Sequence, residues 1–92
     1  NLTTLATLPA GPKSIAYRLH GANEYIYYCS VVDSRLHRYS IQGASDTALS
    51  WPISGMTCEG SALYYRESTQ SIIFAYQQNA LMGFAEYLDP ML

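Results

Sequence analysis

Large apolar side chains in this chain do not alternate cleanly with polar ones. Tyr25, Ile26, Tyr27 and Tyr28 follow one another without a polar interruption. A strand with one face in water alternates, whereas a strand covered on both faces reads as a continuous apolar run. Breaks in the pattern predict strands at Ser14–Leu19, Glu24–Val31 and Arg35–Ile41. The first two are separated by His20-Gly21-Ala22-Asn23, and a turn over Gln42-Gly43-Ala44-Ser45-Asp46 closes the series. A second series follows: Ile53–Cys58, a turn at Glu59-Gly60, Ala62–Glu67, a turn at Ser68–Ser71, then Ile72–Gln77. Leu2–Leu8 reads as a further strand ended by Pro9, and Thr47–Trp51 sits at a similar place before the second series. Leu81–Leu92 fits either a short helix, with Leu81, Phe84, Ala85 and Leu88 on one face, or an outer strand. Short strands with turns every 8–12 residues or so predict an all-β fold.

The two series are related. A shift of 37 places Ile26-Tyr27-Tyr28 on Leu63-Tyr64-Tyr65, Ser34 on Ser71, Leu36 on Ile73 and Tyr39 on Tyr76. Upstream, Ala16 meets Ile53 and Leu19 meets Met56. Similarity at a fixed period is the mark of a repeat architecture. The chain divides accordingly into an outer strand at 1–10, a first repeat at 11–46, a second at 47–80 and a tail at 81–92.

Composition sharpens this picture. Charged residues are only 13% of the 92, about half the usual share for a soluble domain. A chain this small exposes much of its surface and is expected to carry more charge, not less. Hydrophobic residues reach 49%, which excludes an intrinsically disordered chain. Five Lys and Arg against seven Asp and Glu leave a net charge of −2, so no nucleic-acid partner is expected. No apolar run approaches the roughly 20 residues of a membrane helix, and no membrane partner is expected. Nine Tyr favour strands, while Gly, Pro, Ser and Thr supply turns.

Gly11-Pro12-Lys13-Ser14-Ile15-Ala16, then Ile26-Tyr27-Tyr28, then Arg35-Leu36-His37-Arg38-Tyr39 resembles one blade of the six-bladed β-propeller group. That group holds the NHL and YWTD repeats and the gluconolactonase-like proteins. The second unit keeps Leu63-Tyr64-Tyr65 and Ile73 but lacks the Gly-Pro-x-x-Ile-Ala start. The resemblance covers residues 9–78 and implies about two four-stranded antiparallel blades, part of a larger ring. Gluconolactonase-like enzymes bind a divalent metal, but Ala10-Gly11-Pro12 stands where their Glu-Gly-Pro would open a blade. No cofactor is therefore expected, and a divalent metal only if the chain is enzyme-like. A fungal fucose-lectin blade shares the Tyr-Tyr core strand, but its sugar-binding Arg position falls on Tyr25 or Ala62.

Candidate chemistry is sparse. Asp33, Ser34 and His37 have acid, nucleophile and base types, yet Asp-Ser is an ordinary hairpin-turn pair, and triads are assembled across a fold. His20 and His37, with Glu24 or Asp33, have no metal-ligand spacing. Cys29 and Cys58 are the only cysteines, and two readings stay open: a bridge between adjacent blades, or two buried thiols. Tyr17, Tyr25, Tyr27, Tyr64 and Trp51 are either a stacking surface for a ligand or core between blades. Among the arginines Arg18, Arg35, Arg38 and Arg66, one or two are candidates to face a channel and hold an anion. The resulting ligand-binding set is Tyr25, Tyr27, Arg38, Tyr64 and Arg66.

Propellers close with about four to eight blades. Two units leave open faces, and the expected partners are further blades. These come from copies of the same chain, as a homotrimer, or from other segments of a longer propeller. The leading functional expectation is a non-catalytic binding or scaffold module. The alternatives are a fragment or subunit of a gluconolactonase-like enzyme and a carbohydrate-binding lectin. The cellular location stays open, with a secreted one favoured.

Overall fold

A computed structural model describes residues 2–9, 11–49 and 57–89, and all regular structure among them is strand. The protein is all-β. No helix among the described residues is long and apolar enough to cross a membrane. Sheet one is a meander of β1 (Pro12–His20), β2 (Asn23–Ser30), β3 (Leu36–Ser40) and β4 (Ser45–Ala48), hydrogen-bonded in chain order. Sheet two is a meander of β5 (Thr57–Arg66), β6 (Ser71–Gln78) and β7 (Leu81–Tyr87), also in chain order. All the pairings are antiparallel.

Each described hairpin bends through a residue with positive φ: Gly21, Ser34, Ala44, Gln70 and Asn79. Such a residue lets the chain reverse with the twist of the flanking strands, and Gly or Asn adopt it most readily. The β2–β3 turn is reinforced by side chains: Asp33 Oδ1 accepts the Arg35 amide at 3.0 Å and Ser30 Oγ the Val32 amide at 3.0 Å. Gly11 has φ of 56°, and a β-carbon there would stand 2.6 Å from Val31 Cγ2. The chain passes close at this point because the Gly11 carbonyl accepts the Val31 amide at 3.0 Å.

Several elements depart from the sequence expectation. Leu2–Leu8 forms no strand; it has no ladder partner among the described residues, and Leu2 and Leu5 are exposed. The turn read at 42–46 lies at 41–44, so Ser45 and Asp46 belong to β4 and pair with Ser40 and Tyr39. Glu59-Gly60 does not end a strand. Cys58 pairs with Tyr76 and Leu63 with Phe74, so β5 takes five steps where β6 takes two. The surplus is absorbed as a bulge inside one strand. The tail takes the strand alternative as β7, because Ala85 and Phe84 find partners in Phe74 and Ala75. The Ile53–Cys58 strand, all but Thr57 and Cys58, and Trp51 lie outside the described residues.

The sheets pack face to face. Sheet one contributes Tyr25, Tyr27, Cys29 and Leu36, and sheet two contributes Cys58, Ile72 and Phe74, with Leu63, Tyr65, Tyr76, Ala85 and Tyr87 packed around them. At one end of this core Cys29 and Cys58 form a disulfide, with Cα atoms 5.7 Å apart. The Cys58 amide also donates to the Ser34 carbonyl at 2.8 Å. The bridge spans 29 positions of sequence and restricts the unfolded chain. Replacing both cysteines with alanine is expected to lower unfolding stability by about 2–4 kcal/mol. Urea titration of the oxidised protein against the double variant measures this, and a loss under about 1 kcal/mol would contradict it.

Candidate binding site

The alternation of β2 and β3 decides which side chains meet sheet two. Tyr25, Tyr27 and Cys29 point one way, and the register sets Tyr27 opposite Arg38 and Tyr25 opposite Ser40. On the other side of β2, Arg18 of β1 stands opposite Tyr25. Tyr25, Tyr27 and Arg38 of the expected ligand-binding set are thus neighbours, and all three are buried. Tyr64 and Arg66 are elsewhere. Tyr64 faces outward from sheet two, and Arg66 binds Thr69 at 2.8 Å and Glu86 at 2.6 Å.

Asp89, just beyond β7, organises the buried group. Its Oδ2 accepts the Tyr27 hydroxyl at 2.7 Å and Arg38 Nη1 at 2.5 Å. Carboxylate and guanidinium are both almost wholly removed from water, so each needs the other. Arg18 is also buried and makes no ion pair among the described residues. Its guanidinium lies 4.9 Å from the centre of the Tyr65 ring, whose electron-rich face offsets part of the cost of burial. Its Nη1 reaches Tyr27 Oη at 3.5 Å. Burial, then the bond to Asp89, pushes the Tyr27 hydroxyl well above its ordinary pKa of 10.0. Burial and Asp89 raise Tyr87 in the same direction. Asp89 was not among the residues singled out from the sequence. The sequence signal is weak, since Asp89 is one of two carboxylates, with Glu86, in an otherwise apolar tail.

A shallow cleft of about 190 Å³ opens beside this group, lined by Tyr25, Arg38, Ser40, Ser45 and Thr47. Its lining residues carry four hydroxyls, of Tyr25, Ser40, Ser45 and Thr47, and the guanidinium of Arg38, which is paired with Asp89. That suits hydrogen bonding to a small polar ligand and supplies no activated nucleophile.

The other chemically suggestive cluster lies on the outer face of sheet one. His37 directs Nδ1 to Asp46 at 2.7 Å and Nε2 to Asp33 at 2.8 Å, and its ring stacks on Tyr28 at 5.1 Å. Both nitrogens face carboxylates, so neither is left to activate Ser34, and the Asp-Ser-His reading fails on geometry. Burial works to raise the Asp33 pKa. The bonds from His37 and from the Arg35 amide outweigh it and hold the carboxyl below its ordinary value. The Ser71 hydroxyl and then Arg66 lower Glu86 similarly. Among the described residues, no three His, Cys, Asp or Glu side chains converge on a metal position.

Comparison of the chain with known protein families, with curated proteins and with solved structures gave no match in any of the three.

Two predictions follow from the charge pattern. Asp89→Ala leaves Arg38 buried without its partner and is expected to cost about 3–5 kcal/mol, whereas Tyr27→Phe, Arg38→Met and Asp89→Leu combined cost much less. Denaturant midpoints of the two variants test this, and equal losses would contradict it. Stability is also expected to fall at both pH extremes. Asp33 and Glu86 have depressed pKa values, so their contribution is present above about pH 4 and is lost as pH falls below it. Tyr27 has a raised pKa, so its contribution is full below about pH 10 and is lost above it. Absorbance of phenolate during alkaline titration should show Tyr27 ionising only with unfolding; early ionisation of every tyrosine would contradict the placement.

Proposed function

We propose that the chain is a non-catalytic binding or scaffold module whose two sheets are neighbouring blades of a β-propeller. The observation that carries this reading is the pair of meanders in chain order, stacked face to face with both remaining faces rich in uncovered apolar side chains. A propeller stacks small antiparallel sheets radially, and each sheet is covered on both faces by its neighbours. The low charge and the unbroken Tyr25–Tyr28 run have the same origin in this arrangement. β1 and β5 also run beside each other, as strands near the axis of such a ring do. The cleft at Tyr25, Arg38, Ser40, Ser45 and Thr47 is the part that meets a ligand, and its lining suits a small polar molecule.

A crystal structure of the native assembly tests the reading. Further sheets are expected against both outer faces, with all sheets arranged about one axis. A stable free monomer, with both outer faces in water, would overturn it.

A further inference from the structure

The contact between the two sheets carries information about what covers the other faces. The 37-residue repeat pairs Ile26 with Leu63, Tyr27 with Tyr64, Tyr28 with Tyr65, Leu36 with Ile73, and Tyr39 with Tyr76. In every one of these pairs one member packs between the sheets and the other faces away. Tyr27 and Leu36 of sheet one lie in the contact, while their counterparts Tyr64 and Ile73 are on the outer face of sheet two. Leu63, Tyr65 and Tyr76 of sheet two lie in the contact, while Ile26, Tyr28 and Tyr39 are on the outer face of sheet one. A two-fold contact would bring equivalent residues together from both sides. This contact joins the front of one repeat to the back of the next, which is a head-to-tail relation.

Each free face is therefore one half of a contact already formed inside the chain. The outer face of sheet two leaves Tyr64, Met82 and Phe84 exposed at 62%, 66% and 71%. The outer face of sheet one leaves Ile15, Tyr17 and Leu19 exposed at 57%, 50% and 60%. Side chains of this size scattered singly are ordinary, but groups of them on the two outer faces, which come together only where β1 runs beside β5 among the described residues, mark interaction surfaces.

We propose that the outer face of sheet two docks on the outer face of sheet one of a second copy of this chain, repeating the internal contact between molecules. This rests on the blade reading of the two sheets and names the partner that covers them. A head-to-tail contact of this kind closes into a ring when its rotation divides the circle.

Sedimentation velocity on the full chain tests it, with Leu19→Lys and Phe84→Lys as face-specific variants. Both sites are on the surface, and an unchanged circular-dichroism spectrum shows that each variant folds. The unaltered chain should form a closed oligomer at micromolar concentration. Each variant alone should dissociate to monomer, with association weakened at least about tenfold. An equimolar mixture of the two variants should form a one-to-one dimer, because each chain retains the face the other lacks. Loss of assembly through only one of the two faces would overturn the proposal, as would a mixture that stays monomeric. If different chains cover the two faces in a ring, the second-copy proposal falls and the blade reading stands. A stable monomer removes both.

Discussion

Asp89 is a charged group held between two sheets with almost no access to water, and the packing of the molecule is arranged around that fact. A carboxylate in such a place is tolerable only when it is paired and hydrogen-bonded, and Tyr27 and Arg38 both reach its Oδ2 from adjacent strands of the opposite sheet. The contact fixes more than one distance. It sets the end of β7 against the middle of β2 and β3, so sliding one sheet over the other would strand two charges. Apolar packing of Tyr25, Leu36, Ile72 and Phe74 supplies most of the driving force but little directional preference. The polar contact at the middle of β2 and the disulfide near its end together select a single alignment from those that packing alone allows.

Much of the architecture is legible in the sequence, for a physical reason. Strand content follows from apolar runs and turn residues, and both are local. The boundaries that failed depend on partners distant in sequence. Leu2–Leu8 has strand-forming residues but no ladder to join among the described residues, and Glu59-Gly60 looks like a break but is taken up as a bulge because β6 runs on beside it. The turns at Ser34, Ala44 and Gln70 use residue types that do not announce a left-handed conformation, whereas Gly21 and Asn79 do.

The candidate site was legible in part. Tyr25, Tyr27 and Arg38 came together because they share one parity on adjacent strands, a relation that follows once β2 and β3 are paired. Tyr64 and Arg66 lie on the far face because they share the parity of β5 opposite to Leu63 and Tyr65, which pack in the contact. Asp89 carries little local signal, because its role is set by the docking of a tail across the sheets. His37 illustrates the converse: the residues near it in sequence are near in space, yet the ring is occupied by Asp33 and Asp46 and is structural.

The disulfide has a topological consequence. Cys29 belongs to sheet one and Cys58 to sheet two, and among the described strands the chain passes from one sheet to the other between β4 and β5. That passage lies inside the loop closed by the bridge. A protease that cuts one peptide bond there would open the loop without separating its products, and the two halves would stay joined through sulfur. The connection between the sheets is thus doubled covalently, and their alignment does not depend on the linker being intact.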